Sequence, residues 1–218
     1  MDDDEDLALC YPTEHQYCCY RMAFDYFNER LFDNDLPGVM LSFSRKAKTK
    51  GFFAKDRWSY ENDSLISTIN EISINPDLLR RPMNEIMSTL VHEMTHLWQQ
   101  EYGKPSRSTY HNREFADKME AVGLFTSDTG QPGGKRVGQS ISHYIVEGGA
   151  FDRAFAEMPE TIMFPWMSGE AEKPTQAKAK NESKVKYTCP GCNQNAWGKP
   201  GLKLGCHACK EKPTMCSR

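Results

Sequence analysis

From Tyr20 to Thr188 the chain contains no cysteine, although eight occur among its 218 residues. A body without cysteine has no disulfide framework, which sets it apart from small secreted scaffolds. Nor does any run approach the roughly 18 apolar residues that a membrane-spanning helix needs. The start, MDDDEDLALC, lacks the basic residues of a signal peptide. The expectation is a cytoplasmic protein without membrane association, whose thiols bind metal instead of pairing. No internal repeat is visible.

What is present divides the chain in two. At 39% hydrophobic, it is long enough for one well-buried domain of about 150 residues plus a small module. Five of the eight cysteines, Cys189, Cys192, Cys206, Cys209 and Cys216, crowd the end. Residues 171–218 carry ten Lys/Arg and three Asp/Glu, whereas residues 1–170 carry 17 and 27. An acidic body with a basic tail suggests a polyanionic partner such as nucleic acid; the alternative is a merely solvated lysine-rich linker.

In PTEHQYCCYRMAFDYFNERLF, Thr13 and Gln16 have capping-box spacing, and Tyr17, Tyr20, Phe24, Phe27 and Leu31 recur three and four apart. The pattern predicts an amphipathic helix. Val39, Leu41 and Phe43 alternate as on a strand, and GFFAKDRWSY and LISTINEISINP predict two more. A second helix is expected from about Pro82 to Tyr102, with Gly103 as its left-handed stop and Ile86, Leu90, Val91, Met94, Leu97 and Trp98 as its apolar stripe. A third runs from about Asn112 to Val122 and ends at Gly123; SHYIVEGGAFDRAFAEM predicts a short strand followed by a helix. SGEAEKPTQAKAKNESK reads as a flexible linker.

His92 and His96 stand four positions apart with Glu93 beside His92, spelling H-E-x-x-H. On a helix both imidazoles project from one face and can chelate one ion. Neutral imidazoles bind zinc while leaving its charge free to polarise a water, and an adjacent glutamate can take the proton. A catalytic site needs a third protein ligand. His111, after a loop that can double back, is the leading candidate, with Glu101, Glu114 and Asp117 as competitors. Tyr110, His143 and Tyr144 are the polar candidates for stabilising a developing oxyanion.

Cys189-x2-Cys192 and Cys206-x2-Cys209, thirteen residues apart, form two knuckles that can clamp a tetrahedral structural zinc. His207 or Cys216 could replace one ligand. A redox role for CPGC is disfavoured because no βαβ pattern surrounds it. Lys184, Lys186, Lys199, Lys203 and Lys210, with Trp197, offer cations and a stacking surface to nucleic acid.

Five ordered segments, NERLFDNDLP, EISINPDLL, LVHEMTHLWQ, HNREFADKMEAVGL and the four-cysteine module, resemble the SprT-like zinc metalloproteases. The resemblance spans residues 14–209 and implies an α+β fold: a compact zincin-like domain, helices with a sheet of about three strands, plus a C-terminal zinc ribbon. The implied boundaries are an acidic tail at 1–12, the metalloprotease domain at 13–167, a linker at 168–186 and the ribbon at 187–218. Carried over by position, His92, His96 and His111 would hold a catalytic zinc, Glu93 would be the base, and Cys189, Cys192, Cys206 and Cys209 would hold a structural zinc. The best-known members look like DNA-dependent proteases that cut proteins trapped covalently on DNA. That implies DNA as a partner, and a nucleoid location in a bacterium or a nuclear one in a eukaryote. The alternatives are a nucleic-acid-binding adaptor with only structural zinc, or a peptidase with no DNA requirement.

Overall fold

Helix α1, Pro12–Phe32, begins where proline can occupy the first helical position without losing a backbone bond. Its apolar face is sunk in the core, with Tyr20, Ala23 and Phe27 wholly buried, while Tyr17 stays partly in solvent. The expected capping box does not form. Tyr11 is the N-cap and offers no side-chain bond, and Gln16 instead exchanges two hydrogen bonds with the backbone of Trp166, at 3.1 and 3.0 Å. The long-range partner wins because it satisfies both ends of a buried amide.

This computed structural model describes residues 11–46, 49–62, 65–107, 109–168, 184–209, 211 and 213–217. Most of the expected acidic tail, nearly all of the expected linker and Lys210 lie outside them. The chain divides into two compact units, Met1–Gly169 and Glu170–Arg218. Among the described residues no helix is long and apolar enough to cross a membrane.

In the first unit, strand β1 (Met40–Phe43) runs parallel to β3 (Leu65–Ile74), which pairs antiparallel with β2 (Gly51–Asn62). The order β1-β3-β2 leaves β2 as an edge strand. An irregularity between Ala54 and Trp58, where Asp56 takes a φ of 46°, re-aims the outer half of β2. Ile72 and Ile74 of β3 are wholly buried.

Helix α2, Met83–Tyr102, presses Ile86, Leu90, Val91, Met94 and Leu97 into the core, as the stripe predicts. Its end differs from expectation: Gly103 is extended, with φ −116°. A Cβ there would lie 2.6 Å from Glu114 Oε2, so a larger residue would displace the carboxylate that accepts from Gln99 and the Lys104 amide. Helix α3, Arg113–Ala121, starts at Asn112, whose side chain accepts from the Phe115 amide. Gly123 follows with φ +87°, and a Cβ there would meet the Phe151 amide nitrogen at 2.6 Å. Both the turn and the close approach of α4, Ala150–Ala156, therefore need this glycine.

Strands β4 (Leu124–Ser127) and β5 (Ser142–Ile145) form a separate antiparallel pair. Strand β5 lies where SHYIVEGG predicts a strand, whereas β4 is not among the elements expected from the sequence. In the second unit β6 (Val185–Thr188) lies between β7 (Asn195–Gly198) and β8 (Cys216–Ser217). The architecture is α+β, with four α-helices and small sheets among the described residues.

Candidate metal centre and cleft

His92 and His96 project from one face of α2, with ring centroids 5.1 Å apart. The chain returns His111 to them through a turn in which Thr109 is left-handed, φ 65°. His111 is then pinned by two backbone bonds with Gly138, at 2.8 and 3.1 Å, and by the Asn112 cap that follows. The His111 Nε2 atom lies 3.1 Å from that of His96 and 3.3 Å from that of His92. Phe115 packs against all three rings.

The competing carboxylates are engaged elsewhere. Glu101 accepts from Asn70, Glu114 from Gln99 and the Lys104 amide, and Asp117 pairs with Arg113 and Arg136. Among the described residues the three histidines form a ligand group by themselves, with no fourth His, Cys, Asp or Glu joining them.

This donor set fits zinc. Tetrahedral nitrogens held at about 2.0–2.1 Å from a common ion stand roughly 3.3 Å from one another, close to the separations found here. Burial holds His92 well below the usual histidine range, with the three neighbouring histidines adding to the effect. Burial and then His111 bring His96 down to about 3, and His111 is itself lowered by burial. Neutral rings present the lone pairs that a metal needs.

Glu93 is buried beside the trio, and burial pushes its carboxyl up to about 8, against the Phe53 amide and Lys46, which pull it down. Gly51 of β2 crosses so close that a Cβ would stand 3.2 Å from Glu93 Cγ and Oε1 and 2.9 Å from the Ser73 carbonyl oxygen. Phe53, two residues on, stacks over His96. The edge strand thus walls the cleft and positions the carboxyl.

The cleft encloses about 880 Å³. Four cations line it, Lys46, Lys50, Lys55 and Arg107, and Glu93 is the acidic residue among its walls. Of the three residues expected near a reacting carbonyl, Tyr110 lines this space, under the Arg107 guanidinium. His143 also borders it, but both ring nitrogens are committed to protein partners, Nδ1 to His92 Nδ1 at 3.2 Å and Nε2 to Ser88 Oγ at 3.0 Å. Tyr144, its neighbour on β5, points to the other strand face and stacks on Phe125. Alternation along β5 sends one side chain to the back of a ligand and the other away from the cleft.

In the second unit Cys189, Cys192, Cys206 and Cys209 gather into one group. The Sγ separations of 3.7 Å for Cys189–Cys209 and 3.5 Å for Cys192–Cys206 suit thiolates at about 2.3 Å from one tetrahedral ion. Neither alternative ligand joins them, His207 being exposed and Cys216 lying in β8 opposite Thr188. Trp197 is 62% exposed, directly across the strand pair from Lys186. Lys184, Lys199 and Lys203 are exposed as well.

A sequence model of the SprT-like family matches residues 20–133, just over half of the chain, including the three histidines and Glu93. An uncharacterized protein in the mucB 3′ region of Salmonella typhimurium is 36% identical over 52 residues, covering 24% of this chain and 70% of that protein. No solved structure matches the chain.

Proposed function

The chain belongs to the SprT-like family, and from that premise we propose that it is a zinc-dependent endopeptidase acting on DNA-associated or DNA-crosslinked proteins. The observation that carries this reading is the convergence of three imidazole Nε2 atoms beside a buried glutamate in one open cleft.

His92, His96 and His111 would hold zinc, which would supply Lewis acidity and a water that is nucleophilic near neutral pH. Glu93, oriented by the Phe53 amide, takes a proton from the attacking water and passes it to the leaving amine. An extended peptide can lie along the edge strand β2, whose residues 51–53 border the cleft, and gain backbone hydrogen bonds by strand addition. Tyr110, which also lines the cleft, offers a hydroxyl to the developing oxyanion. The four cleft cations and the exposed Trp197–Lys186 pair favour a substrate presented on a polyanion. The cysteine group serves as the structural zinc site, so that two zinc ions are expected per chain.

The test incubates the zinc-loaded protein with a DNA-bound protein substrate, with single-stranded, duplex or no DNA. Cleavage stimulated by DNA and lost in Glu93→Gln or on chelation is expected, with self-cleavage within residues 168–186 as a side reaction. Cleavage that survives Glu93→Gln would overturn the proposed chemistry. Equal cleavage without DNA would remove the nucleic acid from the reading, and zinc uptake without any cleavage would leave an adaptor.

A further inference from the structure

Beneath the trio lies a fourth histidine that the proposed chemistry does not use. His143 stacks on His92 with ring centroids 5.2 Å apart and an interplanar angle of 30°. Its Nδ1 is 3.2 Å from His92 Nδ1, its Nε2 is 3.0 Å from Ser88 Oγ, and Ser88 Oγ is 3.0 Å from the Glu85 carbonyl oxygen. Ser88 and Glu85 both belong to α2, so β5 is tied back to the helix one turn before His92.

Proton counting gives this chain a single direction. A neutral His92 that turns its Nε2 lone pair toward a metal must carry its proton on Nδ1. The facing Nδ1 of His143 can then only accept. A neutral His143 consequently bears its proton on Nε2 and donates to Ser88 Oγ, and the Ser88 hydroxyl donates to the Glu85 carbonyl. Each link has one donor and one acceptor, and the last acceptor is a fixed backbone oxygen. Among the described residues nothing equivalent stands behind His111, whose buried Nδ1 has no hydrogen-bond partner there.

We propose that His143 is a positioning residue for the metal centre: with Ser88 it fixes the tautomer and ring orientation of His92. The inference rests on the reading that the three histidines hold a metal. Outer partners of metal-bound imidazoles raise ligand basicity and hold the ring in place, and losing one commonly weakens metal binding roughly 10- to 100-fold. A carboxylate or carbonyl is the usual partner; here a second imidazole takes that place, with the β4–β5 pair as its mount.

The experiment uses the full chain. Cobalt(II) and zinc titrations separate the sites, because the four-thiolate site shows strong charge-transfer absorption and the histidine site does not. His143→Leu, which keeps bulk and removes the acceptor, is expected to weaken the histidine site roughly 10- to 100-fold and leave the thiolate site unchanged. His143→Asn, whose Oδ1 can occupy the acceptor position, should recover most of the affinity, and Ser88→Ala should fall between. Should the Leu variant fail to fold, long-range 1H–15N spectra of the zinc-loaded wild type decide: His92 is expected protonated at Nδ1 and His143 at Nε2. A Leu variant that binds at the histidine site as tightly as wild type, or a His143 protonated at Nδ1, overturns the inference alone. A wild type that takes metal only at the thiolates overturns the inference and the proposed function together.

Discussion

A carboxyl group largely withdrawn from water resists losing its proton unless enough positive charge stands close. Glu93 is such a group, held up to about 8 by burial, and this has a measurable consequence in the metal-free protein. Between about pH 4.5 and 8 the unfolded glutamate has lost its proton while the folded one keeps it, so its contribution to stability is complete at low pH and is lost as pH rises through 8. Glu93→Gln has no proton to lose. Urea unfolding should find metal-free wild type weakening relative to this variant by up to about 1.4 kcal/mol per pH unit over roughly pH 5 to 8; a constant difference would mean the carboxyl is ionised when folded. The same crowding makes Gly51 a positional requirement. Gly51→Ala must push either the Ser73 carbonyl or the Glu93 side chain, and a displaced base costs rate steeply, of the order of 100-fold for about 1 Å. The expected result is full zinc uptake with peptidase activity down by about 10- to 100-fold. At this scale the sequence speaks where helical period alone sets geometry, as for His92, Glu93 and His96. It is silent on Gly51 and on the true place of His143, because their neighbours are set by strands that arrive from elsewhere in the chain.

Elements bring four imidazoles together: α2 supplies His92 and His96, the start of α3 fixes His111 through Asn112, and β5 supplies His143. All four are held below the ordinary range chiefly by burial, His96 to about 3 and His143 to about 4. Their stabilising contribution is fully present above about pH 6.5, where unfolded histidine is also neutral, and is lost as pH falls toward those folded values. Four histidines pull one way and Glu93 the other. Below about pH 6.5 the unfolded chain binds up to four protons that the folded histidines refuse, against one that the folded Glu93 keeps, so the histidines win. From pH 8 down to 6.5 only Glu93 acts, and stability rises. The metal-free first unit should therefore be most stable between about pH 6 and 7 and fall steeply by pH 5, and zinc should blunt the fall by binding only the folded, neutral rings. Circular dichroism can follow this unit, since all four helices described belong to it; a flat profile from pH 7 to 5 would contradict the burial of neutral imidazoles. The helices themselves were readable from apolar spacing, whereas the Asn112 cap appears only in the structure. Gly103 was readable as a boundary, but its extended conformation was not, because Glu114 of the following helix closes in where its Cβ would stand.

At the level of the whole molecule the charge asymmetry is plain in the sequence, with 17 basic and 27 acidic residues up to position 170 and ten and three after it. It marks the second unit as the one to test for nucleic-acid binding, and the strand register makes the test specific by setting Lys186 directly opposite the exposed Trp197. Spacing alone could gather the four cysteines, but it could not choose which lysine shares a face with the tryptophan; that depends on the pairing of β6 with β7. A tryptophan and a lysine contribute to DNA binding by different physics. Stacking is insensitive to salt and worth roughly 1–3 kcal/mol per base, whereas a lysine on a phosphate acts by releasing a counterion, changing the slope of log affinity against log salt by about 0.7 on a single strand. In the full-length, zinc-loaded protein, Trp197→Ala should therefore weaken single-stranded DNA binding by roughly 5- to 100-fold at every salt concentration and leave the slope alone. Lys186→Ala should weaken it less near physiological salt and make the slope shallower by about 0.7. Neither residue is among those lining the cleft, so hydrolysis measured without DNA should equal that of wild type, and only the DNA-stimulated part should fall. Stimulation that persists in both variants would shift the DNA contact to the cleft cations Lys46, Lys50, Lys55 and Arg107, where the same salt-slope measurement can be repeated one lysine at a time.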